Sequence, residues 1–149
     1  MTYTLADNAG GKFAINATTG AVIASLNFAQ NYDVIGGTFD TASGRMFLLD
    51  WSPDQVIEVN PTTGAQISIF TLPFDVYNAG IAVNPLNGNL VIVTSQDNKI
   101  YEYTKAGVQV RAVSLAALNI DNELTSIAVD STGLAYLSSN RGVVYRFQL

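Results

Sequence analysis

The strongest constraint on the fold is a repeat with a period of 44 residues. The segment AINATTGAV (14–22) returns as EVNPTTGAQ (58–66), and a reduced form, YTKAGVQV, occupies 103–110. Four alternating apolar and polar segments share this spacing, and their equivalent residues are Phe13, Ile57, Tyr101 and Tyr145. A chain built from such units folds as stacked copies of one supersecondary structure.

Two families of turns separate the apolar runs inside each unit. One contains the Thr-Thr-Gly motif and follows the 44-spaced segments. The other comprises DTASGR (40–45), NPLNGN (84–89) and DSTGL (130–134). An Asp or Asn that opens a turn and a Gly that closes it are typical of tight reversals between strands. The period-2 alternation of the neighbouring runs predicts half-buried strands.

Each unit therefore predicts four strands, A to D, joined by short turns except between D and the next A. The predicted A strands are 34–39, 80–83 and 126–129; the B strands are 46–50, 90–94 and 134–138; the C strands are 12–16, 56–60, 100–104 and 144–148; the D strands are 21–26, 65–70 and 108–115. Four-stranded antiparallel units of about 40–50 residues are the blades of β-propellers. The predicted fold is all-β, a single propeller arc of about three and a half blades. Its units are 1–44, 45–88, 89–132 and the partial unit 133–149.

An arc of this size leaves the ring open, since propellers close with about four to eight blades. Residues 1–17 align with 133–149 at an offset of 132 residues, which is three periods. Three arrangements satisfy the pattern: a fragment of a longer propeller, a ring of two or more copies, and a small four-bladed ring. We expect a homo-oligomer, most simply a dimer with about eight blades.

Composition excludes several kinds of protein. The chain contains no His and no Cys, which excludes Ser-His-Asp catalysis, thiol nucleophiles and disulfides. Seven basic residues are scattered through a chain of net charge −5, which argues against a nucleic-acid partner. No apolar run approaches the roughly 20 residues of a membrane span, and the N-terminus does not resemble a signal peptide. We expect a soluble protein with no membrane partner. The compartment stays open among three cases: a cytosolic protein, a chain that follows a removed leader, and part of a larger parent.

The repeats resemble those of bacterial propellers with six to eight blades. ELTSIAVDSTGLAYLSSNRGVVYRF (123–147) resembles blades of the NHL, SMP-30-like (gluconolactonase-like) and SdiA-regulated groups, and EVNPTTGAQ is similar to the C–D turn of PQQ-type and YncE-like blades. No single family is singled out by these motifs. The lactonases of this group hold a central divalent metal with acidic and amide side chains, and the matching pattern is not evident here. The segment 3–22 alone also resembles part of a bacterial cadherin-like repeat, which the 44-residue period contradicts.

The D–A and B–C loops share one face of a propeller, called the loop face below, and loops held by a rigid scaffold commonly carry function. Trp51, the only tryptophan, follows strand B there; it stacks on a ligand or fills the gap between blades. Asp33 and Glu123 precede A strands, with Tyr77 expected at the same place in the remaining unit. Such carboxylates bind a divalent cation, act as a base, or are solvated loop charges. The predicted ligand-binding residues are Asp33, Trp51, Asp54, Tyr77, Asn78, Asp97, Glu123 and Arg141.

Together these features predict a non-catalytic binding or scaffold module that completes its ring by self-association. Its ligand would be a protein or a carbohydrate. We expect no catalytic residue and no cofactor, with a divalent cation as the alternative. Two other functions stay open: a metal-dependent lactonase-like hydrolase, and a fragment or engineered propeller module with no evolved ligand.

Overall fold

The computed structural model describes residues 28, 30–116, 120 and 123–149. These residues form eleven strands: β1 (Val34–Asp40), β2 (Arg45–Asp50), β3 (Gln55–Val59), β4 (Gln66–Thr71), β5 (Ala79–Val83), β6 (Leu90–Thr94), β7 (Lys99–Tyr103), β8 (Gln109–Ser114), β9 (Leu124–Val129), β10 (Leu134–Ser139) and β11 (Val144–Gln148). In this part of the chain no helix is long and apolar enough to cross a lipid bilayer.

The strands form three antiparallel meanders, called blades 1 to 3. Blade 1 contains β1 to β4, blade 2 contains β5 to β8, and blade 3 contains β9 to β11. In each blade the strands pair in chain order, so β1, β5 and β9 are the A strands. The all-β prediction and the predicted order of strands A to D are confirmed in these blades. The strands predicted at 12–16 and 21–26 lie outside the described residues.

The strand register identifies equivalent positions in the three blades. Val34 pairs with Asp50, Ala79 with Thr94, and Leu124 with Ser139, at the same end of strands A and B. The residues before these A strands are therefore equivalent: they are Asp33, Asn78 and Glu123. The prediction that Tyr77 holds this place in blade 2 is wrong by one residue. The reason is an extra residue in β1 and in β9, where the register shifts, that β5 lacks.

The Thr-Thr-Gly segment at 60–64 is a turn between strands C and D. The Asn60 side-chain oxygen accepts hydrogen bonds from the amides of Thr62 and Thr63, at 2.8 and 3.1 Å. Gly64 has a φ of 73°, which a residue with a side chain adopts only with strain. The motif is therefore explained by backbone geometry, and it lies on the side of the blades opposite the loop face.

Blades pack face to face through their B and C strands. Every residue of β6 is buried: Leu90 and Ile92 join the apolar cluster shared with blade 1, while Val91 and Val93 join the cluster shared with blade 3. The A strands approach closely around the centre, and β5 lies against both β1 and β9. At Gly80 a Cβ atom would lie 2.7 Å from the Ser126 Cα, so glycine is needed for this approach.

Candidate ligand-binding face

The loop face is held together by three equivalent hydrogen bonds between main-chain atoms. The carbonyl oxygens of Asp33, Asn78 and Glu123 accept from the first residue of the nearby B–C loop. The donors are the amides of Trp51 (3.2 Å), Ser95 (3.3 Å) and Asn140 (3.1 Å), respectively. Each D–A connection is thus joined to the B–C loop of its own blade at the same point. The face is a repeated backbone frame that presents different side chains.

The last residue of each B strand stabilises the loop that follows. Asp50, Thr94 and Ser139 are buried, and a side-chain oxygen of each accepts the amide two residues later, at 3.2 to 3.4 Å. Asp50 also accepts from the amide of Asp33 (2.9 Å) and the side chain of Gln55 (2.7 Å). Sequence reasoning overlooked these residues, although an oxygen-bearing side chain closes strand B in all three described units.

Asp54 occupies a backbone position with a positive φ of 60°, where the other blades have Asn98 (49°) and Gly142 (76°). Its carboxylate accepts the amide of Val76 at 3.0 Å, and its carbonyl accepts the amide of Leu72 at 2.8 Å. Asp54 therefore shapes the D–A loop that leads from blade 1 into blade 2. Its predicted contact with a ligand stays a prediction.

Asp97 accepts a hydrogen bond from the hydroxyl of Tyr101. Burial of Tyr101 raises the pKa of its hydroxyl, and the neighbouring Asp97 carboxylate raises it further. The Tyr101 ring stacks on Phe74 with ring centroids 3.9 Å apart. This predicted site residue thus supports the packing of a D–A loop against strand C.

Trp51 and Tyr77 form an exposed aromatic pair. Their ring centroids lie 5.7 Å apart with an interplanar angle of 67°, an edge-to-face arrangement. The two side chains remain 43% and 51% exposed, respectively. Trp51 belongs to the B–C loop of blade 1, whereas Tyr77 belongs to the connection into blade 2. Tyr77 thus packs against Trp51 from the neighbouring loop, and both rings keep a large part of their surface open to solvent.

A cleft of about 170 Å³ lies between blades 2 and 3 on the same face. We call it the polar cleft; it is lined by Asn78, Ser95, Glu123, Thr125 and Asn140. A carboxylate oxygen of Glu123 accepts from the Arg141 guanidinium at 2.9 Å, so two predicted site residues form an ion pair at this cleft. Asn78 follows Tyr77 directly in the chain, and the Tyr77 ring packs against Trp51 of blade 1, so the aromatic pair and the polar cleft share the loop face.

The structure therefore brings Asn78, Glu123 and Arg141 together at the polar cleft, and it pairs Trp51 with Tyr77 elsewhere on the same face. Asp33 occupies the equivalent place in blade 1, away from the polar cleft between blades 2 and 3. Over residues 30–116 and 123–149, no three acidic residues gather where a metal ion would bind. The loop face thus offers amide, hydroxyl and carboxylate groups and two exposed aromatic rings.

No protein-family model matches the chain, and no curated protein matches it. Solved structures share its fold. The WD40 β-propeller domain of Doa1 superposes with a TM-score of 0.52 at 19% identity, over 70% of this chain and 33% of that chain. A catalytically inactive virginiamycin B lyase from Staphylococcus aureus, solved with quinupristin, gives 0.54 at 18% identity, over 80% and 42% of the two chains. U3-55K gives 0.61 at 9% identity, over 81% and 37%.

The chain has the fold of a β-propeller arc. It spans between 33% and 42% of the chains just described, so it corresponds to a minority of each. These likenesses concern the fold alone, because the sequence identities are low.

Proposed function

We propose that this protein is a non-catalytic β-propeller module that binds a carbohydrate on its loop face. The observation that carries the proposal is the exposed pair of Trp51 and Tyr77 on the face that also holds the polar cleft. Binding sites combine apolar or aromatic surface with a few polar groups that fix the orientation of the ligand. A sugar ring suits this combination, since its C–H face packs on aromatic rings and its hydroxyls bond to amides and carboxylates.

Charge favours a neutral sugar as the ligand. The chain has a net charge of −5, and the guanidinium beside the polar cleft already pairs with Glu123. The net negative charge would repel a phosphorylated or otherwise anionic ligand. Such a ligand also binds through clustered cationic side chains, whereas this guanidinium is already paired. Neutral hydroxyls, by contrast, can bond to Asn78, Ser95 and Asn140 without a change in charge.

We favour binding over hydrolysis because the predicted carboxylates belong to different parts of the face. Asp33 precedes the A strand of blade 1 and Glu123 that of blade 3, with Asn78 of blade 2 at the equivalent place between them. Acid–base catalysis needs titratable groups within hydrogen-bond reach of the same reacting atoms. The lactonase-like hydrolase stays the alternative, and its dependence on a divalent cation makes it testable.

Trp51 is the only tryptophan, so its fluorescence reports directly on the loop face. Titration with neutral cello-, xylo- and chito-oligosaccharides is expected to shift its emission, with affinities then measured by calorimetry. Tyr77→Ala should weaken binding about 10-fold, because an aromatic contact contributes about 0.5–1.5 kcal/mol beyond its buried area. Val108→Ala is the control, since Val108 is exposed on the opposite face. Binding of peptides but of no sugar would show that the ligand is a protein and would refute the carbohydrate proposal.

We further propose that the module completes its ring by self-association. Blade 3 has three described strands where blades 1 and 2 have four. An open propeller leaves strand edges and apolar faces exposed, and these favour association. Light scattering during size-exclusion chromatography should give a mass that is a multiple of 15.9 kDa, most simply twice that value. A monomer at every concentration would contradict self-association.

A further inference from the structure

The outward face of blade 3, the side turned away from blade 2, differs in exposure from the same face of the other blades. Strand pairing makes Phe47, Val91 and Tyr136 equivalent, since each lies opposite a charged residue of strand C: Glu58, Glu102 and Arg146. Phe47 is 1% exposed and Val91 0%, because the next blade covers them. Tyr136 is 36% exposed.

A second position on this face follows the same rule. Val56, Ile100 and Val144 are equivalent, because they pair with Leu49, Val93 and Ser138 of strand B. Val56 and Ile100 are buried against the following blade, whereas Val144 is 65% exposed. Apolar side chains thus occupy exposed positions on blade 3, although the equivalent positions of blades 1 and 2 are both buried. This face continues the two interfaces already formed inside the chain.

Within the chain, the outward face of one blade is covered by the opposite face of the next blade. In blades 2 and 3 that opposite face presents alternate residues of strand C: Tyr101 and Tyr103 meet blade 1, while Tyr145 and Phe147 meet blade 2. The equivalent residues of blade 1, Ile57 and Val59, are already buried. The 44-residue period assigns the same two positions to Phe13 and Ile15 in the N-terminal segment, residues 1–27.

We propose that the outward face of blade 3 docks onto the N-terminal segment of a second copy, through Phe13 and Ile15. The inference rests on the proposed self-association and names its contact surface. The partner is a second copy because the described residues form three blades, whereas propellers close with about four to eight. A second copy supplies further blades of the same 44-residue period, and its N-terminal segment carries the apolar residues that match this face.

Charged substitutions on this face test the proposal. Val144→Asp places a carboxylate where an apolar contact is expected and should raise the dimer dissociation constant about 100-fold or more. Val110→Asp is the matched control, because Val110 is a half-exposed valine on β8, outside this face. Both variants alter an exposed side chain, and far-UV circular dichroism should show the same β-sheet signal as the parent protein.

Mixing two variants distinguishes this contact surface from others. Phe13→Asp should also weaken association. A mixture of Phe13→Asp and Val144→Asp should associate more tightly than either variant alone, because one of its two contacts then joins unaltered surfaces. A Val144→Asp variant with the mass of the parent oligomer, or equal effects of Val144→Asp and Val110→Asp, would overturn the proposed contact and leave self-association standing. A monomeric parent protein would overturn both proposals.

Discussion

A methyl group at Gly80 would force apart two strands at the centre of the arc. An ideal Cβ there lies 2.7 Å from the Ser126 Cα and 2.8 Å from the Ile127 amide nitrogen. Ordinary van der Waals contact begins at 3.4 Å, so β5 and β9 would have to separate by 3.4 − 2.7 = 0.7 Å. Both neighbouring atoms belong to the backbone and cannot rotate away. Overpacking of this kind costs about 1–3 kcal/mol, and we expect Gly80→Ala to lower the free energy of unfolding by that amount.

Gly36→Ala is a control at the same structural position. Gly36 pairs with Leu49 as Gly80 pairs with Val93, so the two glycines are equivalent residues of neighbouring A strands. Around Gly36 the nearest atoms to an added Cβ lie 3.9 and 4.0 Å away. The new methyl group fits, and the unfolded chain loses conformational freedom. We therefore expect Gly36→Ala to be neutral or to stabilise the fold by about 0.4–1 kcal/mol.

Urea unfolding followed by circular dichroism measures both effects. Gly80→Ala should lower the urea midpoint without changing the slope of the transition, and should lower Tm by about 2–4 °C for each kcal/mol lost. Gly36→Ala should show neither change. Equal effects of the two substitutions, or a Gly80→Ala variant as stable as its parent, would mean that β5 and β9 do not touch as described.

Two further predictions concern pH and metal ions. Burial raises the pKa of the Glu102 carboxyl, but hydrogen bonds from Asn89, Arg111 and Asn87 outweigh burial and hold it below the ordinary 4.5. The folded state thus binds fewer protons than the unfolded state, so the stability from this group is present above pH 4.5 and is lost as the pH falls further. Thermal melts from pH 7 to 3 should show this decline, and Glu102→Gln should reduce it; identical declines would contradict the assignment. Calcium and EDTA should each change Tm by less than about 1 °C, whereas a rise of several degrees with calcium would favour the lactonase-like alternative.

The order of the strands could be predicted because local residues determine each turn. Asx-to-Gly turns and period-2 alternation place strand D of blade 1 at 65–70 and strand A of blade 2 at 80–83, within one residue of β4 and β5 at both ends. The predicted equivalence of Tyr77 with Asp33 was wrong, because it relied on residue counting and not on local turns. Counting three residues back from Gly36 and from Gly80 gives these two, but β1 contains an extra residue that β5 lacks. The bulge in β1 precedes Gly36 and Gly37, which have no side chains to show the resulting shift in alternation.

The candidate site was harder to predict, because its contacts join loops that are distant in sequence. Trp51 and Tyr77 meet only through the conformations of two different loops. From the sequence, Asp54 is expected to be a free carboxylate in a polar loop. In the structure it has a positive φ and accepts a hydrogen bond from the Val76 amide, so it stabilises the backbone of the loops. The only trace of that role in the sequence is the Asn98 and Gly142 found at the same place in blades 2 and 3, two residue types that tolerate such a φ.

The hydrogen bonds that join the loops at Asp33, Asn78 and Glu123 are made by main-chain atoms alone. Their donors carry three unrelated side chains, those of Trp51, Ser95 and Asn140, on one shared backbone geometry. The side chain at each of these positions can therefore change without the loss of a bond that holds the face. Substitution of Ser95 and Asn140 by tryptophan would repeat the ring of Trp51 in the next two blades. The three positions can thus vary in chemistry while the backbone of the loop face stays the same.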